Sequence, residues 1–560
     1  MQARDDENDN NSSAMTAPKI NFPAENSPQR ANSAGSFNIR AKVVPLKPGR
    51  SLMDWIRLGK SGQDLAGTGG ITKTVTVEEL SKHNTEHDAW ISIRGRVYNV
   101  TPYLEYHPGG IPELMRGIGR DATDLFDETH KWVNAESMLE KCFIGPLKRN
   151  SVVKMKPSRS GSGKSLNVST GSLKSHNSLF VPGAQQVDGF AVPVPPQNKQ
   201  DPSYDWYQND KIVTISVYTR KKDFKAEDAI LELKDGKDFD AIFILGEKSF
   251  RVHLALTSPI SHQQVRLSGE SGKVDILLTK ETAGVHWTEL GKGLQGNNSF
   301  KLHKDRESRL WDCRVVSVES VTHNCKLFCC ELPNGVIMRI PIGHHIHMSR
   351  DVEGMQISRP YTVVLPSLQV DPSEREYDGK RFHLMIKLYP DGTLTPTLNA
   401  VGAGDSLQIT DHSGDFRESR LNEAKEIVLI AAGTGFTPMV RLIRHTVLEN
   451  SSVDKSVKLL FANRQETDIL WKQQLDVLAD IASPRFQVFY TVTQPNPEWE
   501  GYEGRVSMEM LLEILPPPPS AGCERELLIG VCGPDAFTQH IVSMLKDLSY
   551  TGKMIHAFLA

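Results

Sequence analysis

The sequence predicts a multidomain α+β chain in which a small mixed domain and an all-β sandwich precede an antiparallel β-barrel and an α/β domain. Three observations carry that expectation. At 560 residues the chain exceeds one ordinary hydrophobic core. Two stretches of low-complexity composition, 1–50 and 149–202, interrupt the folded pattern. Short strands dominate before residue 420, whereas apolar strands alternate with helical stretches after it.

Charge narrows the partner classes. Lys and Arg total 65 against 68 Asp and Glu, a net charge of -3, so no nucleic acid or anionic membrane partner is expected. The seven cysteines include no CxxC pair and read as reduced thiols rather than a disulfide framework or a zinc site. The opening MQARDDENDNNSS lacks the basic and apolar regions of a signal peptide. The longest apolar run, Ile427–Ala432, falls far short of the roughly 20 residues that span a bilayer, so no transmembrane segment is expected and the chain reads as soluble.

Taken in order, residues 1–50 are rich in Asn, Ser, Asp and Pro and read as a disordered tail. Residues 51–71 form a short docking segment, because Leu52-Met53-Asp54-Trp55-Ile56-Arg57-Leu58 makes one amphipathic turn. Residues 72–148 mix short strands and helices in a domain small enough that a buried cofactor would help hold its core. Ser, Lys and Gly fill 149–202, ending in Val192–Pro196, the composition of a flexible linker stiffening into polyproline conformation. Residues 203–292 carry the sandwich strands Ile212–Tyr218, Ala241–Leu245, Phe250–Leu256, Val265–Leu267 and Val274–Leu278. The barrel spans 308–420. The α/β domain spans 421–560, with strands at Glu426–Ala431, Lys458–Ala462, Gln487–Thr493 and Glu526–Cys532.

The sharpest local signal is His107-Pro108-Gly109-Gly110, followed by Gly119-Arg120-Asp121 and then His130. A bis-histidine haem needs imidazoles from opposite faces, and Pro-Gly-Gly permits a tight turn against a flat macrocycle. Asp121 is placed to cap a short helix leading to His130. Leu125, Phe126, Met138, Leu139 and Phe143 are candidates to line the slot. Residues 72–148 thereby resemble cytochrome b5. The resemblance implies haem b with His107 and His130 as axial metal ligands.

Further on, Arg359-Pro360-Tyr361-Thr362 ends a barrel strand. A guanidinium binds a pyrophosphate, a Tyr ring packs on a flavin, and a Thr hydroxyl reaches its N5 edge. Lys387 and Tyr389 follow on the next strand, and Gly392-Thr393-Leu394-Thr395 opens a helix whose N–H groups suit a diphosphate. Gly433-Thr434-Gly435-Phe436-Thr437-Pro438 and Cys532-Gly533-Pro534 are glycine turns at the carboxyl ends of two apolar strands, where nucleotides approach an α/β sheet.

In that order these motifs resemble NADH-cytochrome b5 reductase, of the ferredoxin-reductase flavoenzyme family. Thr395 departs from the family's Ser but keeps the hydroxyl. The resemblance implies FAD on the barrel and NADH or NADPH as co-substrate. Thr362, Thr437 and Lys387 would orient flavin and nicotinamide, Cys532 would lie near the nicotinamide, and Phe558 would pack over the flavin. Leu459-Leu460-Phe461-Ala462-Asn463 and Thr467-Asp468-Ile469-Leu470 look like the adenosine side, and Arg464 leaves room for a 2′-phosphate. Residues 204–290, from Tyr204-Asp205-Trp206-Tyr207-Gln208 to Trp287-Thr288-Glu289-Leu290, resemble the CS domain of co-chaperones, which implies a protein partner.

The combination implies a flavohaem oxidoreductase passing electrons from nicotinamide through FAD to haem and on to an external protein or small-molecule acceptor. It also implies association with the endoplasmic reticulum on its cytoplasmic face, in redox or lipid metabolism and stress response. A rival reading makes the chain a redox-gated adaptor acting through the CS-like domain. In the run His344-His345-Ile346-His347, strand alternation divides the histidines between both faces and argues against a metal site.

Overall fold

The structure is a computed structural model that describes residues 46–130, 133–148, 201–268, 272–306, 309–369, 378–449 and 454–559. Nearly all of the expected tail and linker lies outside them.

In the first domain β1 (Val75–Thr76), β2 (Asn84–Thr85), β3 (Asp88–Ile93), β4 (Arg96–Asn99) and β5 (Phe143–Lys148) form a sheet of order β1-β5-β4-β3-β2. Residues Ala89 to Ile93 are all buried, as a strand covered on both faces requires. The helix Leu52–Lys60 starts at a Ser51–Asp54 capping box and docks on this domain. Its Trp55 ring lies against Tyr103 and Tyr106, and its indole N–H donates to the Met138 carbonyl at 2.9 Å.

The second domain is a two-sheet sandwich. One sheet is β11 (Ile260–Ser268), β12 (Lys273–Lys280), β7 (Ile212–Tyr218) and β6 (Ser203–Gln208) in that order. The other joins β8 (Ala229–Lys234), β9 (Asp238–Leu245) and β10 (Lys248–Leu256) to the short β13 (Gly291–Gly293) and β14 (Ser299–Leu302). Trp287 is buried in the core, while Tyr207 stands exposed on the edge strand β6.

This second sheet does not end within the sandwich segment. The strand β17 (Val336–Met338), from the barrel segment, extends it by pairing Val336, Ile337 and Met338 with Glu232, Leu231 and Ile230 of β8. An open edge is thereby covered. Gly335 makes the approach possible: it adopts φ +84, and a Cβ there would lie 2.0 Å from the Leu233 carbonyl oxygen. Three residues are too few to announce such a strand by periodicity.

The barrel closes in the order β15 (Leu310–Thr322), β16 (Cys325–Glu331), β20 (Arg381–Lys387), β19 (Met355–Val364), β18 (His345–Val352) and β21 (Ser406–Thr410). The contact of β19 with β20 is confined to Val363 and Val364, so from Met355 to Thr362 that edge of β19 is open. The last domain is a parallel sheet, β25 (Tyr502–Glu503), β24 (Phe486–Val492), β23 (Ser456–Asn463), β22 (Glu426–Ala432), β26 (Leu527–Cys532) and β27 (Ile555–Ala557). Its central strands are continuous buried apolar runs, as in a sheet covered by helices on both faces.

The histidine run lies at the start of β18. His345 Nε2 meets Ser413 Oγ at 3.0 Å, and His344 faces His412 across 3.3 Å. Among the described residues no group of three or more His, Cys, Asp or Glu is arranged to hold a metal ion. Burial lowers the pKa of His345 to about 4 and of His412 to about 3. A histidine depressed in the folded state contributes stability that is full above its unfolded value of 6.5 and is lost as pH falls toward the folded value. Urea midpoints should therefore decline between pH 7 and pH 5, each histidine adding a slope of up to about 1.4 kcal/mol per pH unit. A midpoint independent of pH across that range would contradict this account.

Candidate active site and haem crevice

Two sites are built on this frame. In the first domain His107 follows the 3-10 helix Thr101–Tyr106 and His130 ends the helix Thr123–His130. The glycine turn folds back so that the Gly110 carbonyl lies 3.0 Å from His107 Nδ1, which leaves Nε2 as the outward nitrogen. A Cβ on Gly109 would sit 2.8 Å from the His107 ring, so the turn leaves no room for a side chain. Asp121 Oδ1 accepts the Thr123 amide at 3.2 Å and anchors the approach to His130.

The two imidazole rings stand with centroids 6.0 Å apart and planes at 85°. Two trans imidazoles with metal–nitrogen bonds of about 2 Å place their ring centres about 6 Å apart. The residues therefore fit a shared iron. Burial depresses the pKa of both, that of His130 to about 4, which keeps the rings neutral as ligation requires. Of the expected lining residues, Phe126 lies 5.5 Å from the His130 ring. Leu125 and Met138 pack against the same core, and Leu139 is buried in it. Phe143 packs against that core too, with Tyr98 beside its ring and the Arg96 guanidinium over it.

The second site is a cleft of about 810 Å³ between the barrel and the parallel sheet. Arg359 through Thr362, Lys387, Tyr389, Thr393 through Thr395, Gly433 through Gly435, Thr437 and Cys532 through Pro534 all line it. Gly392, Pro438 and Phe558 do not. Gly392 closes a turn onto the Tyr389 carbonyl, Pro438 is buried in its helix, and Phe558 packs on Phe416 and His556.

Individual contacts divide these residues into two kinds. Thr395 Oγ1 donates to the Tyr389 carbonyl and accepts the Tyr389 amide, and Thr437 Oγ1 donates to the Thr434 carbonyl, so both hydroxyls brace loops. Arg359 is the other kind. Its guanidinium donates to the Ser358 carbonyl at 2.8 Å, and no carboxylate among the described residues pairs with it. A half-buried cation in that state fits a diphosphate. Burial pushes the Cys532 thiol up to about 12, so it is a neutral thiol and not a nucleophile.

Sequence reasoning missed the link across the cleft. Lys387 Nζ lies 3.1 Å from Asp468 Oδ1, joining β20 to the nucleotide-side domain. Asn463, at the carboxyl end of β23, is buried with its Nδ2 lacking a protein partner, a donor suited to a bound nucleotide. The rule that ligands sit at the carboxyl ends of parallel strands pointed to that position. Arg505 and His540 also line the cleft, and no sequence pattern marked them.

Family models match in the same order as these domains. They are a cytochrome b5-like heme/steroid binding domain at 76–148, a CS domain at 202–280, an oxidoreductase FAD-binding domain at 312–417 and an oxidoreductase NAD-binding domain at 429–543. Fold and sites together define a flavohaem oxidoreductase, an NAD(P)H-dependent enzyme of the cytochrome b5 reductase type with FAD and haem b as cofactors.

The chain is 39% identical to cytochrome b5 reductase 4 of Xenopus tropicalis over 97% of this chain and 99% of that protein. It is 41% identical to that of Mus musculus, over 98% and 100%. The structure of the CS-b5R domains of human Ncb5or in its NAD+ form superposes with a TM-score of 0.59 at 34% identity, covering 64% of this chain and 99% of that one. The chain belongs to the cytochrome b5 reductase 4 family.

Substituting either crevice histidine, His107→Ala or His130→Ala, should abolish normal haem binding, read as loss of the haem absorbance band from the purified protein. Wild-type haem content in both would refute the ligand assignment. Arg359→Ala should weaken FAD retention by about ten-fold or more, the size of a lost charge-assisted contact. Unchanged FAD affinity by flavin fluorescence titration would refute it.

Proposed function

We propose that the chain passes electrons from NADH or NADPH through FAD to its own bis-histidine haem and on to an external one-electron acceptor. The observation that carries this reading is the pairing of His107 and His130 at a spacing suited to one iron in the chain that also holds the dinucleotide cleft. Bound FAD exchanges a hydride for single electrons, and bound haem takes electrons one at a time at its iron.

The residues position and shield. Arg359 holds a diphosphate, and Tyr361 offers its ring to the flavin. Lys387, fixed by Asp468, keeps a positive charge over the cleft, and Thr362 presents its hydroxyl there. The glycine turns at Gly433 and Gly533 let backbone approach the nucleotide, and Asn463 Nδ2 donates to it. Arg464, which lines the cleft and donates to Gln494, leaves room for a 2′-phosphate contact and so for NADPH. No residue need act as acid or base, because binding in the correct orientation supplies the catalysis.

His107 and His130 would hold the haem iron through protein ligands alone, which would suit electron transfer. Resemblance supports association with the endoplasmic reticulum, and no helix among the described residues is long and apolar enough to cross a membrane. A protein contact through the CS-like domain would then supply the attachment.

Anaerobic addition of stoichiometric NADH should bleach the flavin and then sharpen the ferrous haem bands. Flavin bleaching over a haem that stays ferric, though dithionite still reduces it, would overturn the relay.

A further inference from the structure

The hairpin of β18 and β19 turns at Glu353-Gly354, and its tip meets the haem domain. Asn134 Nδ2 donates to Gln356 Oε1 at 2.7 Å, the Gln356 amide donates to Ser137 Oγ at 3.1 Å, and Lys60 Nζ pairs with Glu353 Oε2 at 2.9 Å. Around these polar contacts, Ala135 and Leu139 of the haem domain and Val352, Met355 and Ile357 of the hairpin are buried in one continuous apolar cluster.

The Gln356 amide is available because β20 covers β19 only at Val363 and Val364. An uncovered strand edge presents bare backbone donors, and here Ser137 takes one of them. The same open edge continues to Arg359–Thr362, which line the flavin cleft. Gln356 precedes Arg359 by a rise of about 10 Å along the strand. On the other side of the contact, the helix Ala135–Met138 comes shortly after the helix that ends in His130. One short bridge thus joins the second histidine to the flavin strand.

We propose that this hairpin tip is the seat that orients the haem domain on the barrel, and that the contact sets the rate of intramolecular haem reduction. The inference rests on the relay described above. The balance is that NADH gives up a hydride, two ferric-to-ferrous reductions take its two electrons, and one proton goes to solvent. For the flavin to return fully oxidised, a single haem passes its first electron to an outside one-electron acceptor before taking the second.

The test uses the full chain with both cofactors bound and two double variants. Asn134→Asp with Gln356→Glu places like charges across the seat, and Asn134→Asp with Gln356→Lys restores attraction. The aspartate also preserves the helix cap, in which Asn134 accepts the Ser137 amide. Hydrogen exchange should find the Gln356 amide protected in the wild type and about ten-fold or more faster in the repelled variant. The re-paired variant should lie near the wild type. In anaerobic stopped flow with NADH, the flavin phase should be unchanged in all three, while the haem phase slows about ten-fold or more in the repelled variant and recovers in the re-paired one.

An unprotected Gln356 amide in the wild type, or a wild-type haem phase in the repelled variant, overturns the proposal. If the wild type itself bleaches flavin without reducing haem, the relay fails, and the exchange experiment still decides whether the seat exists. Should the variants carrying Asn134→Asp lose haem, Glu353→Lys replaces them. That exposed change should slow the haem phase about two- to five-fold, with recovery in Lys60→Glu/Glu353→Lys. Equal haem rates in all three proteins would overturn the seat.

Discussion

The parallel pairing of β22 with β26 is the constraint on which the nucleotide cleft depends. It sets the two glycine turns side by side, so close that a Cβ on Gly435 would stand 2.3 Å from the Cys532 carbonyl oxygen. Any side chain there would push the turns apart. Because they remain together, their backbone lines one wall of the cleft, and the barrel can deliver Arg359, Tyr361 and Lys387 to the same cavity. Lys387 and Asp468 then tie the two walls across the gap.

The haem crevice follows a similar logic on a smaller scale. A turn with no room for a Cβ at position 109 holds one imidazole by its inner nitrogen, and a helix end supplies the other. Desolvation keeps both rings uncharged, so the geometry and the protonation state favour the same ligand. A domain of this size has little core to spare. The docked helix around Trp55 enlarges it, with the indole bonded to the Met138 carbonyl.

Much of this was legible because its signals are local. His107-Pro108-Gly109-Gly110, the Arg359–Thr362 strand end and the two glycine turns each place special residues at a turn or strand terminus, where residue type and backbone are tightly linked. Contacts between distant segments were not legible. Asp468 falls within an adenosine-side motif, and nothing near it in sequence points to Lys387. The hydroxyls of Thr395 and Thr437 matched a binding pattern, yet they are turned onto neighbouring carbonyls. Phe558 carried an expectation of flavin contact, and the structure packs it on Phe416 and His556. Asn134 and Gln356 meet across 222 positions of chain, beyond the reach of any periodicity.

The strand β17 blurs the border between two modules that look separable in the sequence. Its three residues leave the barrel segment to complete a sheet of the sandwich, and Gly335 makes the crossing possible. The two domains therefore share hydrogen-bonded architecture, and neither can be inherited or exchanged as a clean cassette. A recombination breakpoint placed between them would leave the sandwich with a raw edge and the barrel with an orphaned ribbon. Shuffling at that border succeeds only if the incoming sandwich carries an acceptor edge matched to those three residues.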